Sequence, residues 1–162
     1  MSIRLTGSHR WHTGMLAAVL AAAIPLQAHH SFAPFDQTKT MVFTGVVTVV
    51  NPDANHLQIY FAPMNAERKN VERDAKGEPS IWEVEMAGSA AAAGEGISVS
   101  SFPKGTVFSV AMRPMRNGEH KGLRQGALFK CPGRTPPQPG KHCDSVDGHQ
   151  SFGNGPLPAP TD

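Results

Sequence analysis

Residues 41–62 read MVFTGVVTVVNPDANHLQIYFA and contain two successive β-strands with a turn between them. Met41 to Val50 is rich in β-branched residues and apolar on both faces, which predicts a buried strand, with Gly45 as a bend or bulge. Residues 51–55 have the composition of a turn. From His56 to Ala62, apolar and polar residues alternate, as in a strand with one face in the core. The stretch therefore predicts an antiparallel hairpin.

Three further segments of the chain show strand patterns. Strands are predicted at 81–86, 106–113 and 123–130, with one short helix at 88–96 that has Ser89 as its N-cap. Three strands, a short helix and two strands follow one another in the OB-type Greek-key barrel, the oligonucleotide- and oligosaccharide-binding type. We therefore predict an all-β fold with one short helix, a five-stranded OB-like barrel over residues 29–130. A five-stranded meander barrel is the alternative.

The N-terminal segment has the pattern of a cleaved signal peptide. Arg4 and Arg10 form a positive region, and the apolar run from Met15 to Leu26 is too short to span a membrane. Ala28 supplies the small residue before the cut. Residues 1–28 are therefore predicted to be removed on export to the periplasm or beyond, with no integral membrane segment left afterwards. A cut after residue 22 or 23 is the alternative.

The charge of the mature chain argues against nucleic acid as a partner. Loss of Arg4 and Arg10 leaves 134 residues with 13 basic and 13 acidic side chains. Nucleic acid binding depends on clustered Lys and Arg that neutralise phosphates. The partner is therefore expected to be a small ligand or a protein.

The C-terminal segment, residues 131–162, differs in composition from the barrel. It is rich in proline and glycine and has no apolar periodicity, so we expect disorder beyond about Ser151. Its two cysteines, Cys131 and Cys143, are expected to form a disulfide, because such bonds persist in exported proteins. A metal-binding thiolate pair with His142 is the alternative.

Two polar residues are predicted to meet on the outer surface of the barrel. The second and third strands should pair antiparallel across the charged loop at 63–80, and placing Ala62 opposite Pro79 puts His56 opposite Glu85. Both side chains fall on the outward face, so they would be cross-strand neighbours.

The histidines at the cleavage site suggest a metal-binding role. A cut after Ala28 makes His29 the first residue, whose α-amine and imidazole can chelate one ion together. Nitrogen-rich chelation of this kind suits copper(II) best, and His30 is the next candidate ligand. With the strand pair, the predicted metal site comprises His29, His30, His56 and Glu85, with copper as its ion.

Two other functional classes were compared with this hypothesis. A metal-free binding module for a peptide, glycan or partner protein is the alternative, with Tyr60 as its outward contact residue. An enzyme is not expected, because the sequence has no Ser-His-Asp order, phosphate loop, dinucleotide fingerprint or Cys-Xaa-Xaa-Cys motif.

The chain also resembles, over about residues 29–130, a family of small exported bacterial proteins that carries only a domain-of-unknown-function label. The resemblance is carried by these residues: His29-His30-Ser31-Phe32, Phe35-Asp36, Thr44-Gly45-Val46-Val47, Asn51-Pro52, Trp82, Glu85, Gly88-Ser89, Lys104-Gly105, Pro114, Arg116 and Asn117-Gly118. It implies secretion and a small β-barrel, and it implies no known activity. The family has histidine directly after Asn-Pro, where this chain has Asp53. Either Asp53 replaces that histidine, or inserted residues let His56 take its place.

Overall fold

The five predicted strands and the short helix are all present, in the predicted order. A computed structural model describes residues 32–161 of the chain. The elements are β1 (Met41–Pro52), β2 (Leu57–Pro63), β3 (Trp82–Glu85), α1 (Ser89–Gly94), β4 (Val107–Pro114), β5 (Lys121–Lys130) and β6 (Gln150–Phe152). The predicted signal peptide lies outside the described residues.

The first five strands close into an OB-like barrel. β1 pairs antiparallel with β2 and β4, β2 pairs with β3, and β4 pairs with β5. Closure comes from a parallel pairing of β3 with β5, in which Glu83 lies opposite Lys121. The predicted OB-like Greek-key barrel is thereby confirmed, and the meander alternative is wrong because a meander would not bring β3 beside β5.

The barrel interior combines aliphatic side chains with three buried phenylalanine rings. Phe61 and Phe108 are fully buried and meet edge to face, with their ring centroids 5.3 Å apart. Gly45 allows this packing, because a Cβ atom there would lie 2.5 Å from Cδ2 of Phe61. The register shift in β1 falls between Val47 and Val49. The bulge therefore does not lie at Gly45, as predicted, but two to four residues further along β1. Gly45 is needed instead because the ring of Phe61 approaches its backbone closely.

The helix α1 begins differently from the prediction. Its N-cap is Gly88, and no side chain caps the helix. The hydroxyl of Ser89 instead donates a hydrogen bond to the carbonyl oxygen of Asp53, 2.6 Å away. This bond ties the start of the helix to the β1–β2 turn, and Ala92 packs into the barrel core.

The segment before β1 is anchored to the β4–β5 hairpin. Phe35 is buried and forms an isolated bridge with Met115. The amide of Asp36 donates to the carbonyl of Pro114 at 2.8 Å. Phe32, by contrast, is 57% exposed. Phe35 is therefore the phenylalanine that anchors this segment.

The C-terminal segment forms a second layer on the outside of the barrel. Cys131 and Cys143 form a disulfide, as predicted, and both are buried. Beyond Ser151 the disorder prediction is wrong, because Thr161 exchanges backbone and side-chain hydrogen bonds with Thr40. Composition misled here because prolines can pack on a sheet without apolar periodicity.

Candidate functional site

The polar residues of interest lie on the outer surface of four adjacent strands, β1, β2, β3 and β5. Along β2, Leu57, Ile59 and Phe61 are buried, whereas Gln58 and Tyr60 between them are partly exposed. Successive side chains of a strand point to opposite faces, so this alternation separates core from surface, as the sequence predicts. The outward residues form a continuous polar surface, here called the β2–β3 face: Asn51, His56, Gln58, Tyr60, Glu83, Glu85 and Lys121.

His56 and Glu85 are in contact on this face. Nδ1 of His56 lies 2.8 Å from Oε1 of Glu85. The predicted register is wrong by two residues, because Gln58, not His56, lies opposite Glu85. A shift of two residues preserves the face on which each side chain lies, and His56 reaches Glu85 as a diagonal neighbour.

Lys121 connects the two glutamates of β3. Its Nζ atom lies 2.9 Å from Oε1 of Glu83 and 2.6 Å from Oε2 of Glu85. Sequence reasoning missed this residue, because it began the last strand at Leu123. The parallel β3–β5 pairing of the OB-type barrel is the signal that could have indicated it, since that pairing puts the start of β5 beside β3.

Hydrogen bonds extend the network across β2 to the end of β1. The side-chain amide of Gln58 donates to Oε1 of Glu83 at 2.9 Å, and its oxygen accepts from Nδ2 of Asn51 at 2.7 Å. Tyr60 lies opposite Glu83 in the β2–β3 pairing. Each carboxylate is thus held by several neighbours, which orders the side chains into one connected row.

Asp53 shapes the turn that carries His56 and lies outside the polar row. Oδ1 of Asp53 accepts hydrogen bonds from the amides of Asn55 and His56, at 2.8 and 3.3 Å. These bonds hold the pKa of the Asp53 carboxyl below its usual value, because they favour the ionised form. Asp53 therefore fixes the backbone of the β1–β2 loop in front of His56.

The protonation states of Lys121 and Tyr60 follow from their surroundings. Burial acts to lower the pKa of Lys121, but its hydrogen bonds to Glu85 and Glu83 outweigh this, so that its pKa is raised. Burial, followed by the charge of Glu83, raises the pKa of Tyr60. At neutral pH Lys121 is therefore a cation and Tyr60 a neutral hydroxyl.

An aromatic pair borders the face where the β4–β5 hairpin ends. The ring of His120 stacks on that of Trp82 with centroids 4.5 Å apart and planes 7° from parallel. On the core side, the ring of Phe43 packs against the same Trp82, with the two ring centroids 4.7 Å apart. Trp82 is thus packed against the core, while the exposed His120 extends the stack to the surface.

Two of the four predicted metal ligands, His29 and His30, lie outside the described residues. Within residues 32–161, no group of three or more His, Cys, Asp or Glu side chains is placed to hold a metal ion. Both carboxylate oxygens of Glu85 are engaged, one by His56 and one by the ammonium of Lys121. A metal ion on Glu85 would compete with these two contacts, and the role of Glu85 as a ligand stays a prediction.

The strand order and the face together define the class of this protein as a small OB-like barrel. OB-type barrels bind their ligands on the face of strands 2 and 3 and on the loops at its borders. A model of a family of unknown function (DUF6152) matches residues 17–125, more than half of the chain, and the protein belongs to this family. A search of curated proteins found no match, and no solved structure matches either.

In the described residues 32–161, no helix has both the length and the apolar character that crossing a membrane requires.

Proposed function

We propose that the protein is an exported binding protein whose mature N-terminus holds a copper(II) ion. Three nitrogens would form the site: the α-amine and imidazole of His29, with the imidazole of His30. The signal-peptide pattern of residues 1–28 supports export. The Cys131–Cys143 disulfide also supports it, because such bonds persist in oxidising compartments.

The observation that carries this proposal is the anchoring of the chain just after these histidines. The amide of Arg116 donates to the carbonyl of Pro34 at 2.9 Å, and Nε of Arg116 donates to the carbonyl of Ala33 at 3.2 Å. Phe35 is buried next to them. Residues 33–35 are thus fixed to the barrel, so a ligand held at a mature N-terminus of His29 would be attached a few residues before an anchored segment, a form of preorganisation that lowers the cost of binding.

The ligand chemistry explains the choice of ion. An α-amine has a pKa of about 7.7, so it loses its proton at modest cost near neutral pH. A histidine at the first position adds an imidazole to the same ion, and nitrogen donors favour copper(II) over zinc in the general affinity order. Cleavage after Ala28 would create this pair of donors.

We expect the protein purified from the exported fraction to begin at His29 and to bind one copper(II) ion at low micromolar concentration. Native mass spectrometry measures both quantities in one spectrum. His29→Ala should lower the affinity sharply, and one extra residue before His29 should abolish the chelate by moving the amine. His149→Ala is the matched control, because His149 is an exposed histidine of the C-terminal segment.

The same titration has outcomes that would overturn the proposal. A mature chain that begins upstream of His29, or an extended variant that binds copper as tightly as the wild type, removes the amine chelate. His56→Ala tests the separate prediction that His56 and Glu85 contribute to binding. Unchanged affinity in that variant would exclude His56 as a ligand.

The β2–β3 face favours a second candidate function, metal-free binding of an oligosaccharide. The row presents carboxylates, a carboxamide and the ammonium of Lys121 next to one another, and the stacked His120 offers an aromatic plane at its border. Hydroxyl groups on a sugar ring need such alternating acceptors and donors.

Trp82 provides the test, because it is the only tryptophan after residue 28. Oligosaccharides that bind at this border should change its fluorescence, and Lys121→Met should weaken that binding about tenfold, the effect of losing one charged hydrogen bond. Lys104→Met, a change at an exposed turn, is the matched control. A panel of oligosaccharides that leaves the fluorescence unchanged, or equal effects of both variants, would contradict this candidate; a response to peptides alone would point to a peptide ligand.

A further inference from the structure

A disulfide-bridged segment covers an apolar area on the outside of the barrel. This segment, residues 131–146, is here called the flap. Under it, Val107, Ala127 and Phe129 pack with the two cysteines in a cluster separate from the barrel interior. The match to the family model ends at residue 125, before the flap begins. The flap is thus an addition to the matched region that hides apolar surface of β4 and β5.

A chain of hydrogen bonds connects the flap to β1 and β4. The amide of Cys143 donates to Oγ of Ser109 at 2.9 Å, and Oγ of Ser109 lies 2.7 Å from Oγ1 of Thr44. Oγ1 of Thr44 lies 2.9 Å from Nδ1 of His142. Thr44 and Ser109 are both buried, so their hydroxyl protons depend on partners within the protein.

The direction of this chain depends on the protonation of His142. When Nδ1 is an unprotonated acceptor, Thr44 donates to His142 and Ser109 donates to Thr44, so both hydroxyl protons have an acceptor. When Nδ1 carries a proton, it must donate to Thr44. One of the two hydroxyl protons then loses its acceptor within the chain, which is costly for a buried group.

The charges around His142 also disfavour its protonated form. Arg68, from the loop between β2 and β3, donates to the carbonyl of Lys141 at 3.2 Å and places a cation near the imidazole. Asp144 of the flap is the opposing charge, while β1 and β4 face the ring with the hydroxyls of Thr44 and Ser109. Burial, and then Arg68, lower the pKa of His142, and Asp144 offsets only part of this.

We infer that the flap is an acid-sensitive cover, held closed by neutral His142 and loosened when His142 is protonated. The direction of the pH dependence follows from the number of protons that the folded and the unfolded chain bind. A histidine with a lowered pKa binds fewer protons in the folded protein than in the unfolded chain, so its contribution to stability is fully present above the usual value of 6.5 and is lost as the pH falls from there through the lowered pKa of the folded state. Opening would expose Val107 and Phe129 to solvent.

Hydrogen exchange of the intact, disulfide-bonded protein tests this inference at about pH 5 and pH 7.5, on either side of the usual histidine pKa. After correction for intrinsic exchange rates, amides of residues 141–146 should lose protection by about fivefold or more at the lower pH, and amides of β2 should not. His142→Gln should remove this pH dependence, because a carboxamide oxygen can accept from Thr44 and does not titrate. His149→Gln should retain it.

Equal protection of the flap at both pH values in the wild type would overturn the inference, as would an unchanged pH response in His142→Gln. If the glutamine variant does not fold, Thr44→Val provides the second test. It removes the hydroxyl between Ser109 and His142, so the flap should be less protected at both pH values. Protection equal to that of the wild type in this variant would also reject the inference.

Discussion

Replacing Phe61 with alanine is expected to lower the free energy of unfolding by about 3–5 kcal/mol. Phe61 is fully buried, and its ring contacts Phe43 at 5.7 Å and Phe108 at 5.3 Å between centroids. Alanine would remove the ring and leave a cavity that a closed barrel cannot easily collapse to fill. The loss is a large part of the stability of a small domain.

Urea unfolding followed by circular dichroism measures this loss, and Phe32→Ala is the matched control. Phe32 is 57% exposed, so the same substitution there should change the free energy of unfolding by less than about 0.5 kcal/mol. If the two variants lose equal amounts of stability, Phe61 does not lie in a tightly packed core.

Removing the disulfide by the double change Cys131→Ala and Cys143→Ala is expected to lower the free energy of unfolding by about 3 kcal/mol. The bond joins residues 12 positions apart. In the chain-entropy account, it restricts the unfolded chain, and its loss frees that chain to adopt more conformations. Alanine is preferred to serine because both positions are buried and would leave a hydroxyl unsatisfied.

A reducing agent provides the control for this second prediction. The reductant should destabilise the wild type by a similar amount and should leave the double-alanine variant unchanged. Free-thiol labelling that finds both cysteines reactive in the folded protein would contradict the disulfide. A double variant as stable as the wild type would show that the bond contributes nothing to stability.

The sequence alone determined the five strands of the barrel and which of their faces lie inside. In β2 the alternation places Leu57 and Ile59 in the core, and such alternation is a local property of one strand. The Asn117-Gly118 turn joins β4 to β5, with Gly118 at a positive φ of 80° that glycine adopts without steric cost. The expectation of export also led to the pairing of Cys131 with Cys143 that the structure shows.

Only the tertiary structure decided which residues meet across strands. The β2–β3 register depends on how the 63–80 loop folds, and the period of two in each strand determines the face but leaves the partner open. Lys121 reaches Glu83 and Glu85 because β5 closes the barrel beside β3. That contact joins residues more than thirty positions apart, and no local pattern specifies it.

Packing between distant segments also explains why the C-terminal segment is ordered. Composition predicted disorder beyond about Ser151, because nothing in its proline- and glycine-rich sequence shows a face to bury. The structure supplies that face on the barrel exterior, where β6 pairs with β5 and the flap brings His142 to Thr44. Strands and their buried faces are thus determined locally, whereas the polar row, the flap and its histidine exist only because distant segments pack together.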